Sequence, residues 1–60
     1  MIISVIDIDD LPLIGWTRII DVGEENLLLK LEQPTAHAVA MMERRHPGTP
    51  IENITLCVKL

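Results

Sequence analysis

Residues 34–48 read PTAHAVAMMERRHPG, and this stretch carries the one convincing helical pattern in the chain. Thr35 suits the N-cap, because its hydroxyl can accept from a backbone N–H two or three residues on. Pro34 alternatively suits the first helical position. At about 100° per residue, Ala38, Val39 and Met42 form the stripe that faces a core. Ala36 and Ala40 make an adjacent small-residue face, and His37, Met41 and Arg44 line a third. Pro47 ends the helix near Arg45 or His46, and Gly48 suits the turn that follows.

Strand patterns lie on either side of this helix. Leu27 to Glu32 sends Leu27, Leu29 and Leu31 one way, and Leu28, Lys30 and Glu32 the other. Ile51 to Leu60 alternates most cleanly, with Ile54, Leu56, Val58 and Leu60 inward and Asn53, Thr55, Cys57 and Lys59 outward. Upstream, Trp16 to Val22 reads as a strand joined to Leu27 by the polar hairpin turn Gly23-Glu24-Glu25-Asn26. Ile2 to Ile8 is β-branched and reads as the first strand. Ile2, Ser4, Ile6 and Ile8 share one of its faces, and Ile3, Val5, Asp7 and Asp9 the other, so both faces are expected to be covered near its start. Asp9 to Gly15 reads as a loop, since Pro12 lacks a donor and restricts Leu11 before it.

The order β-β-β-α-β predicts an α+β fold. It is a small, mostly antiparallel four-stranded sheet with one helix packed on it, a single domain over residues 1–60. If the strands flanking the helix pair in parallel, their crossover is right-handed.

A 60-residue chain buries only about 60% of its unfolded surface, which leaves stability marginal without further support. Cys57 is the only cysteine, so an internal disulfide is excluded. Apolar residues make up 48% of the chain, yet Trp16 is its sole aromatic. So much aliphatic surface on so small a body points to a homo-oligomer, a homodimer being the simplest. The formal charge of −4 argues against generic nucleic-acid binding, which needs a net basic face. No apolar run approaches the roughly 20 residues of a membrane span. No basic, signal-like segment precedes the first strand, so a cytoplasmic location is expected.

Several groups are candidate sites. Leu11, Leu13 and Ile14, followed by Trp16, are apolar where turn residues are expected. They either complete the core or form a surface anchored on Trp16 that binds a partner or stacks a base. Arg44, Arg45 and His46 form the only dense basic group, and guanidinium forks suit phosphate or carboxylate. With His37 and Met41 they are candidates to hold an anionic, phosphate-bearing ligand such as a nucleotide, while the same cations also complement a helix C-terminus. Asp7, Asp9 and Asp10 suit either a cation or a solvated strand end. His37 and His46 do not share a helical face, so a joint metal site is not expected, and no cofactor is implied.

Nothing points to an enzyme. Hydroxyl residues such as Ser4, Thr17 and Thr55 have no recognisable base partner, and Cys57 sits within a strand. The N-terminal proline that small tautomerases use as a base is missing, since Ile2 follows Met1. The expectation is therefore a non-catalytic binding or inhibitor protein of phage or mobile-element type, directed against a host defence system. It works as a homo-oligomer that sequesters a host partner protein or a phosphate-bearing small ligand. The alternative is a structural protein whose assembly is itself the product.

Overall fold

The β-branched run near the N-terminus and the alternating run at the C-terminus become neighbours in space. The computed structural model describes residues 2–60. β1 (Ile2–Ile6) pairs in parallel with β4 (Ile54–Lys59), with Ser4 opposite Leu56 and Ile6 opposite Val58. β4 in turn pairs antiparallel with β3 (Asn26–Pro34), and β3 pairs antiparallel with β2 (Gly15–Val22). The sheet order is β1-β4-β3-β2. Two helices complete the fold, α1 (Leu11–Ile14) and α2 (Ala36–Arg45), together with 3-10 turns at Ile8–Asp10 and Ile51–Asn53. The result is an α+β domain with a mixed sheet.

The strands flanking α2 are antiparallel, in keeping with a mostly antiparallel sheet, so the parallel crossover that the sequence left open does not arise. Residues 46–53, with Pro47, Gly48 and Pro50 among them, carry the chain back to the end of β3 before β4 begins. Residues 9–15 are not a loop. They run through a 3-10 turn and α1 to the first residue of β2, and Pro12 occupies the first turn of α1, the one helical place where its missing N–H costs nothing. β1 stops at Ile6, and its outer face is open, with Ile3 56% and Val5 53% exposed.

The core lies between the sheet and α2. Alternation along the strands puts Ile6, Leu29, Ile54, Leu56 and Val58 on this inner side, all at most 3% exposed. From α2 come Ala38, Met41 and Met42, with Val39 only half-buried. The helical stripe is thus turned towards Met41, which is long and unbranched enough to reach the sheet from the helix flank. Ile14, fully buried, joins the same cluster. Among the described residues no helix is long and apolar enough to cross a membrane.

Burial of Ile14 makes the 11–14 segment part of the core rather than a cover over it. Ile14→Ala is expected to cost about 2–5 kcal/mol in urea denaturation, a large share of the stability of so small a domain. Leu13→Ala, on the exposed side of the same turn, is expected to change it by less than about 0.5 kcal/mol.

Candidate functional site

The candidate surface is built from one junction. Thr35 caps α2, its Oγ1 accepting from the Ala38 N–H at 3.1 Å. The same hydroxyl donates to the Leu13 carbonyl at 2.5 Å, and the Thr35 N–H donates to the Ile14 carbonyl at 2.8 Å. The last carbonyls of α1, orphaned by the helix end, therefore find their donors at the start of α2. Gly15 makes the close approach feasible. Its φ is 97°, and a Cβ there would lie 2.8 Å from the Gln33 carbonyl oxygen and 2.9 Å from Thr35 Cγ2. No other residue type fits without displacing backbone.

With α1 tied down in this way, its side chains divide. Ile14 points into the core and Leu11 packs partly against it. Leu13 remains 51% exposed and Trp16, at the start of β2, 61% exposed, while Ile8 in the preceding 3-10 turn is also outside. Of the two roles open to Trp16 from sequence, the structure excludes core filling. Asp7 and Asp9 are exposed in the same stretch of chain and Asp10 is half-buried. Among the described residues, no three of His, Cys, Asp or Glu come close enough together to hold a metal ion.

The basic group on α2 is divided as well. His37 and Arg44 are exposed on the helix, but Met41 between them is a core residue at 8% exposure. Arg45 turns to the sheet, where Nη1 donates to the Val5 carbonyl at 2.8 Å and lies 3.5 Å from Ser4 Oγ. This tie satisfies Ser4, a hydroxyl on the inner side of β1 with only 4% exposure. His46 is half-buried. Its backbone N–H closes the helix onto the Met42 carbonyl at 2.8 Å, and its Nε2 is buried without a hydrogen-bond partner among the described residues. Arg45 stays exposed but its guanidinium is tied to β1, 40 positions away, a contact that local spacing does not reveal, and His46 closes the helix by a local bond.

Comparison with known proteins finds no family model, no curated relative and no solved structure that matches the chain.

Thr35→Val removes a donor and an acceptor at once and is expected to lower stability by about 1–3 kcal/mol in urea denaturation. Thr35→Ser, which keeps the hydroxyl, is expected to retain most of it. Gly15→Ala is expected to be at least as damaging as Thr35→Val, since the clash is with backbone and the positive φ disfavours a side chain.

Proposed function

We propose that this chain is a small non-catalytic binding protein, of the inhibitor type, that works as a homo-oligomer in the cytoplasm. It docks a partner protein through the apolar surface at Leu13 and Trp16. The exposure of Trp16 carries this reading. A 60-residue domain gains more core from its only aromatic than from any other side chain, yet Trp16 is held outside on a strand. A large amphipathic ring on a rigid element, three residues along the chain from a second exposed apolar side chain, is the chemistry of an interface anchor. The exposed Asp7 and Asp9 in the same stretch favour a partner with basic groups around its own apolar pocket. The comparison with phage and mobile-element inhibitors rests on chain length and acidic character, not on a motif.

The reading is tested by retaining partners from a host extract on the immobilised protein and on Trp16→Ala. A protein held by the first and lost by the second, with the variant's unfolding free energy in urea within about 0.5 kcal/mol of the parent's, is the expected outcome. Retention by both variants overturns the Trp16 assignment. Loss on Arg44→Ala, with steep weakening by salt, shifts the site to the exposed cations of α2 and an anionic ligand.

A further inference from the structure

A second apolar surface lies on the opposite side of the molecule, on the face of the sheet that α2 does not cover. Alternation along the strands sends two rows of side chains outward there. One row runs Ile3, Thr55, Lys30, Arg18 across β1, β4, β3 and β2, and the next runs Val5, Cys57, Leu28, Asp21. Ile3 and Val5 are more than half exposed, Leu28, Lys30 and Cys57 are half-buried, and Thr55, between Ile3 and Lys30, is covered at 4% exposure.

Both open edges of the sheet carry devices against pairing with another strand. On β1 the Arg45 guanidinium holds the Val5 carbonyl at 2.8 Å. On β2 the register shifts at Trp16/Thr17 and Ile19/Asp21, and Asp21 Oδ1 takes the Val22 N–H at 2.9 Å. Growth of the sheet strand by strand is thereby obstructed, and the face remains.

We propose that a second copy of this chain covers the outer face, the two sheets packing face to face about a two-fold axis. The axis runs across the strands, between the two rows. This rests on the homo-oligomeric reading above and supplies its interface. The charge pattern argues for self-association. The axis lays each row on the other row of the second copy, so Ile3 meets Val5, and the stem of Lys30 meets Leu28. Arg18 then meets Asp21, twice in one dimer. Arg18 is bound to Glu32 through Nε at 3.2 Å, and its side chain is 64% exposed, which leaves the guanidinium accessible to a second carboxylate. Asp21 engages Val22 through Oδ1 alone. Twist rotates packed sheets by about 30°, and Arg18 is long enough to follow that displacement at the corner. The footprint, four strands about 4.8 Å apart, is at the small end of specific interfaces, so the dimer dissociates on dilution.

Sedimentation equilibrium from micromolar to millimolar concentration tests this on four proteins: the parent, Arg18→Glu, Asp21→Arg, and the double variant. The parent is expected to pass from 6.7 kDa to twice that mass. Each single reversal places like charges across the axis and is expected to weaken the dimer at least about tenfold. The double reversal restores opposite charges and is expected to return dimerisation to near the parent's. Far-ultraviolet circular dichroism confirms that each variant is folded. A dimer indifferent to the single reversals, or one the double variant does not recover, overturns this interface and leaves the oligomeric reading standing. A parent that stays monomeric throughout, including one whose outer face takes up an acidic partner instead, overturns both.

Discussion

One hydroxyl organises the molecule. Thr35 Oγ1 is acceptor for the first turn of α2 and donor to the last turn of α1, so a single atom joins two helices separated in sequence by a complete β-hairpin. The backbone reinforces it through the Thr35 N–H and the Ile14 carbonyl. Around that point the other placements follow. Gly15 must lack a side chain because the two segments approach so closely. Ile14 is driven into the core, β2 leaves at a set angle, and α2 begins where its far end can reach β1 through Arg45. A helix of ten residues is marginal in isolation, and it is this anchoring at both ends, with the buried stripe between, that makes it persist.

The second constraint is width. A single helix is about 10 Å across with its side chains, whereas four strands extend further than that. α2 covers β1, β4 and β3 and leaves β2 largely bare. Ile19 lies in register with the core residue Leu29 yet is 58% exposed, and Val22, in register with Leu27, is 62% exposed. The fold therefore cannot hide its aliphatic content within one layer of helix on one layer of sheet. Excess apolar surface appears in three places, beside α1, on the bare inner side of β2 and on the open face.

The sequence was informative wherever the signal is local. The Thr35 cap, the Ile54–Leu56–Val58 alternation and the β2–β3 hairpin can all be read within a few residues. α1 was hidden because a four-residue helix is too short for a periodic pattern, and because Pro12 breaks helices everywhere except the first turn. The parallel pairing of β1 with β4 was not legible, since the choice of a distant neighbour leaves no local trace. Of the candidate surface, the oddity of apolar residues at 11–16 was visible. The division of Leu13 and Trp16 from Ile14 depends on the helical phase of α1, and so it needed the structure. Arg45 looked like a ligand-binding cation beside Arg44. Its bond to Val5 spans 40 positions, which no spacing rule covers.

The place of β4 in the sheet bears on when the chain can fold. β4 is the strand between β1 and β3, and it follows both of them in the sequence. Until those residues are available, β1 has no neighbour to pair with, and the β2–β3 hairpin stands alone, a unit that is at best marginally stable in water. The sheet thus assembles in one late, cooperative event whose contacts span nearly the whole chain, slower than the collapse of a helical domain of equal length. During the wait the segment IISVI is an unpaired, β-branched run without a single charge, the kind of stretch from which aggregation starts.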